Sequence, residues 1–145
     1  FKEQLSYLFN KEYDYNKLSL SRDLPSDFLR KIMDMKPLSV AIPENYGGRG
    51  VHVKECLSVL SAASYESLSL SLTFGINIAL FLEPLAKYGN PLVKEKVFQQ
   101  FLENQAMGGL MITEPSYGSD ALNMRTSYQR IIGWLLLVRK MKMVN

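Results

Sequence analysis

The stretch that most restricts how this chain can fold is residues 109–120, Gly-Leu-Met-Ile-Thr-Glu-Pro-Ser-Tyr-Gly-Ser-Asp. No regular helix runs through it, because Pro115 has no N–H to donate and Gly118 is a poor helix former. The apolar residues Leu110, Met111 and Ile112 stop at Thr113 and Glu114, and the backbone then bends toward Ser119 and Asp120. The pattern predicts a strand, a turn and a ligand-facing loop. Gly118 lets the backbone approach a bulky partner, and Ser119 sets a hydroxyl beside free N–H groups, which suits capture of an anion or a cofactor. Thr113 can present its hydroxyl to a flat heteroaromatic edge. An ordinary strand with a Pro/Gly turn has the same residues, and spacing alone does not separate the two.

The residues before this stretch are helical in pattern. Phe1, Leu5, Leu8 and Phe9 share one face of a first helix that stops before Tyr13. The segment Asp23-Leu24-Pro25-Ser26 reads as a loop with Ser26 as N-cap of a helix carrying Phe28, Leu29, Ile32 and Met33, which Pro37 ends. Leu38, Val40 and Ile42 alternate with smaller residues, so the chain is expected to be extended there. Gly47, Gly48 and Gly50 follow, and they read as a structural turn beside which Tyr46 packs rather than as a phosphate cradle.

Val53, Leu57, Leu60, Ala62 and Ala63 predict a helix over residues 53–66. Leu68, Leu70, Leu72 and Phe74 then alternate with Ser69, Ser71 and Thr73, a period of two that taken alone predicts a strand. Pro84 should kink or restart the next helix, and Lys87-Tyr88-Gly89 reads as its last turn with a C-cap glycine. Asn90-Pro91 starts another, with Asn90 as N-cap, Pro91 at N1, and Val93, Val97, Phe98, Phe101 and Leu102 apolar.

Composition narrows the function classes. With 17 basic and 14 acidic residues among 145, the formal charge of +3 is too balanced, and the basic residues too scattered, for a nucleic-acid surface. The exception is the group Arg139, Lys140 and Lys142. Cys56 is the lone cysteine, which excludes an internal disulfide, and His52 is the lone histidine, which reads as a surface or cap residue with no metal site. The uncharged stretch between Glu66 and Glu83 is short for a membrane span and broken by serines, so a buried helix is expected. No targeting signal is visible.

Thr113-Glu114-Pro115 followed by Gly118-Ser119-Asp120 resembles the flavin-binding signature of the acyl-CoA dehydrogenases. Ile42-Pro43-Glu44-Asn45-Tyr46-Gly47-Gly48-Arg49-Gly50 is similar to a second signature of that family, in the same order and at the family's spacing. The likeness runs over residues 28–128. It implies a mainly α chain: an N-terminal all-helical domain, residues 1–107, followed by residues 108–145 as the first strands of a β-barrel-like middle domain, with the family's C-terminal helical domain absent. It also favours helix over strand for residues 68–74.

The resemblance further implies FAD as cofactor, bound by Leu110, Ile112, Thr113, Gly118 and Ser119, and an acyl-CoA substrate touched by Ser119, Leu72, Thr73 and Ile76, with Tyr46 packed beside the cofactor or acyl channel. The implied reaction is oxidation of the thioester to the 2,3-enoyl-CoA, with the catalytic glutamate in the C-terminal domain and none on this chain, so that the fragment alone is expected to be inactive. Glu114 reads as a structural carboxylate that caps its turn. Family habit adds fatty acid metabolism, a homotetramer or another homo-oligomer, an electron-transferring flavoprotein as acceptor, and a cytoplasmic (bacterial) or mitochondrial matrix setting. After Tyr128 the sequence departs from the family pattern: Val138 stands where a glycine is expected, Lys142 where a flavin-stacking tryptophan is expected, and Val144 at the following hydroxyl position, while Lys140 is kept. A flavin oxidase or monooxygenase of the same fold, a flavin-free binding protein derived from the family, and an unrelated helical interaction module remain as alternatives.

Overall fold

The structure is a computed structural model and describes residues 1–21, 24–115, 117–131 and 134–139. They form two compact units, Phe1–Leu110 and Met111–Asn145. Each is described by itself below.

The first unit is helical. Helix α1 (Lys2–Tyr7) widens into a π turn (Leu8–Glu12), and Leu5, Leu8 and Phe9 are buried on the predicted face. Helix α2 (Tyr15–Leu20) follows at once, capped by Asp14, whose carboxylate accepts the N–H groups of Asn16 and Lys17. Helix α3 (Ser26–Asp34) buries Phe28, Ile32 and Met33. Ser26 is its first residue and not its cap: Pro25 holds the cap position with extended backbone and no side-chain bond. The ring of Phe28 receives Phe9 edge-on at 4.7 Å and Tyr13 at 4.2 Å. Burying a ring of this size contributes roughly 1.5–3 kcal/mol.

Tyr13 donates its hydroxyl to Asp27, which holds the Asp27 carboxyl below its usual range and pushes the phenol up. Lys31 pairs with Glu12, and this carboxylate raises the lysine. These exposed bonds fasten the π turn to α3. Gln105, whose own backbone is left-handed, reaches Asp34 at the other end of α3.

The expected extended segment is instead a 3-10 helix (Pro37–Ala41), entered through left-handed Lys36. All of Pro37, Leu38, Ser39, Val40 and Ala41 are buried, so period-two alternation carried no information: there is no solvent face for the smaller residues to occupy. Its partner is α4 (Val53–Glu66), where Cys56 donates its thiol to Val40 O at 3.6 Å. The buried face of α4 is Cys56, Val59, Ala62, Ala63 and Glu66; of the residues read from sequence Ala62 and Ala63 are buried and Leu60 half-buried, while Val53 and Leu57 are exposed.

Helix α5 (Leu68–Gly75), a π turn (Ile76–Leu82) and α6 (Glu83–Tyr88) run on continuously. The period-two leucines are therefore helical, as the family resemblance required and their spacing did not. Ser67 supports the start by accepting the N–H of Leu70 at 3.3 Å. The π turn has a local cause: Pro84 gives no N–H to Leu80 and its ring would strike that carbonyl in a regular helix, so the ladder widens just before it. Gly89 closes α6 in extended rather than left-handed backbone, and is glycine because a Cβ would lie 2.6 Å from the Leu85 carbonyl oxygen. Leu70, Phe74, Ile78 and Leu82 line up in the core. The whole helix Leu68–Tyr88 is long and apolar enough to cross a membrane by length and composition. Only the face carrying Leu70, Phe74, Ile78 and Leu82 is buried in the core, and most of the remaining residues are exposed or half-buried.

Helix α7 (Pro91–Glu103) begins as predicted, with Asn90 accepting the N–H of Leu92 at 3.0 Å, and buries Phe98 and Phe101.

Residues 110–112, where the first unit ends and the second begins, form no strand: a strand needs a neighbour for its ladder, and none of the described residues pairs with them. An isolated bridge joins Glu114 and Tyr117, a 3-10 turn spans Ala121–Asn123, and β1 (Thr126–Ile131) pairs antiparallel with β2 (Trp134–Arg139). The readings at Asp23, Lys140, Lys142 and Val144, and the Ser116 position of the signature, lie outside the described residues.

Candidate functional site

Within the first unit the site is built on α5 and the π turn that continues it. Leu72 and Ile76, four residues apart, lie on a line with Leu68 and Leu80, and all four side chains are exposed, Leu68 by 70% and Leu72 by 59%. An exposed apolar stripe of this kind, opposite the buried face of the same helix, marks a contact surface rather than a core face. Thr73 lies beside it, half-buried, with its hydroxyl donating to Ser69 O at 2.9 Å. The opposite face carries Leu70 and Phe74 into the core, so the surface and the core share one helix.

Sequence reading missed Asn77. Its side chain is 2% exposed, one of few buried polar groups among the described residues, and sits in the first turn of the π segment. Asn77 Nδ2 donates to Thr73 O at 2.8 Å, and Asn77 Oδ1 accepts the Gly108 N–H at 2.7 Å. Gly108 lies flat against Phe81: a Cβ there would come within 2.3 Å of the ring, which itself stacks on Phe101 at 5.5 Å. An asparagine in an apolar stretch was the available signal, since a buried amide must find partners. Leu110, two residues on, is half exposed.

The turn at residues 42–50 is a packed structural element. Gly47 and Gly50 have φ near +85°, and at Gly48 a Cβ would fall 2.0 Å from the Ile42 carbonyl oxygen. The Arg49 N–H reaches back to Ser39 O and the Gly50 N–H to Ile42 O. Tyr46 packs on Phe98 with ring centres 5.1 Å apart, and Arg49 pairs with Glu55 at 2.7 Å. His52 is an exposed residue at the N-cap of α4.

In the second unit Met111, Ile112 and Thr113 are exposed, and so are Gly118 and Ser119. A Cβ on Gly118 would meet nothing within 4 Å, so its backbone is open to a close partner. Glu114 is the anchor: its carboxylate accepts the N–H of Arg125 at 3.0 Å and that of Thr126 at 2.6 Å. Arg125 in turn lies over the Tyr117 ring at 5.1 Å. The carboxylate is thus occupied by backbone and holds the loop, the role its place in the motif suggested.

Chemically, the second unit offers apolar surface at Ile112, hydroxyls at Thr113 and Ser119, and open backbone at Gly118. That donor set fits FAD, whose ring needs apolar cover and edge donors and whose pyrophosphate needs N–H and hydroxyl groups. Elsewhere, a groove of about 430 Å³ lies between Tyr7, Leu8, Lys31 and Met35, and none of the residues predicted for the site lines it. No metal-ligating cluster is found among the described residues.

Comparison with known proteins identifies the family. Residues 2–105 match the model of the acyl-CoA dehydrogenase N-terminal domain. The chain is 27% identical over 104 residues to mitochondrial isovaleryl-CoA dehydrogenase of Pongo abelii, covering 72% of this chain and 25% of the relative. It is 29% identical over 119 residues to the enzyme of that name from Oryza sativa subsp. japonica, covering 80% and 29%. To an acyl-CoA dehydrogenase of Bacillus subtilis (strain 168) it is 25% identical over 115 residues, covering 79% and 30%. The chain therefore belongs to the acyl-CoA dehydrogenase family. It spans between a quarter and a third of the length of these relatives.

Proposed function

We propose that this protein takes part in the FAD-dependent oxidation of an acyl-CoA thioester to the 2,3-enoyl-CoA. The observation that carries the reading is the loop of residues 113–119, held by Glu114 through backbone N–H groups while Thr113, Gly118 and Ser119 stay exposed. In this reading Thr113 and the Ile112 backbone meet the edge of the flavin, Leu110 covers its ring, and Gly118 and Ser119 take the pyrophosphate or the mouth of the CoA channel. FAD, when bound, supplies the acceptor for the hydride that leaves the β-carbon.

Leu72, Thr73 and Ile76 supply the wall for the acyl chain. Their exposed stripe gives apolar surface that excludes water, which the chemistry requires because the α-proton becomes acidic only in a dry, polarising site. In the family that proton goes to a glutamate of the C-terminal helical domain, so residues 1–145 alone are inactive. A homo-oligomer, an electron-transferring flavoprotein as acceptor, a place in fatty acid metabolism, and a mitochondrial matrix or bacterial cytoplasmic setting belong to the same reading.

The test is the visible spectrum of the purified full-length protein, followed by anaerobic addition of acyl-CoAs of graded chain length. Bleaching of the oxidised flavin band is expected and ranks the substrates. Fast reoxidation of the reduced protein in air would favour an oxidase or monooxygenase of the same fold. Val138 and Lys142, which depart from the family pattern, favour a second reading as a flavin-free binding protein, for which the preparation would be colourless.

A further inference from the structure

We propose that Asn77 is a positioning residue that ties the helix bearing the acyl wall to the segment that carries Leu110, the flavin-covering residue of the first unit, so that both are seated through one buried amide. The inference rests on the reading of Leu72, Thr73, Ile76 and Leu110 given above. Three observations within the first unit carry it.

Asn77 is bonded in both directions. Its Nδ2 donates to the carbonyl of Thr73, within the stretch that carries Leu72 and Ile76, and its Oδ1 accepts the N–H of Gly108, two residues before Leu110. A buried amide so satisfied fixes the spacing of the groups it joins, because moving either leaves a polar atom without a partner. The π turn at Ile76–Leu82 is the second observation: it widens the helix where Asn77 sits, a feature that recurs where helices serve function. The third is the Gly108–Phe81 contact. With space for hydrogen only, Gly108 packs directly against the Phe81 ring, and Phe81 belongs to the same π turn as Asn77. One turn of helix thus holds Gly108 by a hydrogen bond and by a ring face.

The experiment uses the full-length protein and reads FAD affinity by fluorescence on reconstitution of the apoprotein, with KM and kcat for an acyl-CoA measured separately. Wild-type protein comes first, since one that takes up no FAD overturns both this inference and the functional reading beneath it. Asn77→Ala is expected to weaken FAD binding about tenfold and to raise KM, because one buried bond is lost on each side. Gly108→Ala, which leaves Asn77 intact, is expected to weaken FAD binding by a similar factor. Adding Phe81→Ala to it opens the space for the new methyl and is expected to restore affinity to within about threefold of Phe81→Ala alone. Asn77→Ala and Gly108→Ala variants that fold less stably yet bind FAD as the wild type does would overturn the inference alone. So would a double variant that binds FAD more than about threefold more weakly than Phe81→Ala alone, and this arm decides the matter if Asn77→Ala does not fold.

Discussion

Glu114 accepts the backbone N–H of Thr126 at 2.6 Å and that of Arg125 at 3.0 Å, closing a loop of the chain on a single carboxylate. Hydrogen bonds to a charged acceptor are worth about 1.5–3 kcal/mol each when desolvated, and less for a half-exposed group such as this one. Glu114→Gln turns one acceptor oxygen into an NH₂ facing a backbone donor. Amide exchange at Arg125 and Thr126 is expected to speed up by about tenfold or more. Unchanged exchange would mean that the carboxylate does not hold the loop.

The glycines of the two signatures are glycine for different reasons, and substitution separates them. At Gly48 a Cβ would sit 2.0 Å from the Ile42 carbonyl oxygen, which is backbone and cannot swing aside. Gly48→Ala should lower stability by at least the roughly 1–3 kcal/mol typical of overpacking, read as a shift of the urea midpoint. Gly118→Ala adds a methyl to open space and should change stability by less than about 0.5 kcal/mol. If Gly118 matters, it matters for a partner's approach, and FAD titration of this variant in the full-length protein should show weakened binding despite the unchanged midpoint.

The helical character of the first unit, its Asn90-Pro91 start, the buried faces of α1 and α3 and the buried Phe98 and Phe101 of α7 could be read from periodicity and capping, because those helices lie at the surface of one core with one side wet; Val93, read with that face, is exposed. The reading failed where that condition failed. Residues 37–41 are buried throughout, so alternation of large and small residues was no guide to backbone. Leu68, Leu70, Leu72 and Phe74 alternate because their helix has two apolar faces, one in the core and one exposed, which imitates a strand. Leu110, Met111 and Ile112 have strand-like residues, yet strand formation depends on a pairing partner and not on propensity. Of the candidate site, the hydroxyls and glycines were visible as a motif. Asn77 was not, since its role comes from a contact with Gly108, thirty-one residues away.

Helix caps offer a smaller, local check. The Asn90 side chain accepts the Leu92 N–H at 3.0 Å and Asp14 accepts that of Asn16 at 3.0 Å. Replacing either with alanine should cost about 1 kcal/mol, seen as a lower thermal midpoint, whereas Ser26→Ala should cost less because Ser26 makes no capping bond. Equal losses at Ser26 and Asn90 would contradict the assignment of Pro25 as the cap residue.

Cys56 gives the pH dependence its sign. The thiol is buried beside Val40, and burial, helped by the negative charge of Glu83, pushes it above its ordinary value. The neutral thiol is therefore favoured in the folded state. Below the ordinary thiol value both states hold the proton and the group has no pH effect. As pH rises above that value the unfolded chain loses its proton first, so unfolding becomes easier and stability falls until the folded thiol also ionises. Between about pH 8 and 10, the urea midpoint of the wild type should fall more steeply than that of Cys56→Ala, which lacks the titrating group while the tyrosines and lysines common to both cancel in the difference. Alkylation by iodoacetamide at pH 8 should likewise be slow in the folded protein and fast in urea, since only the thiolate attacks. Parallel midpoint curves, or rapid alkylation of the folded chain, would show that Cys56 is not held in the buried contact with Val40.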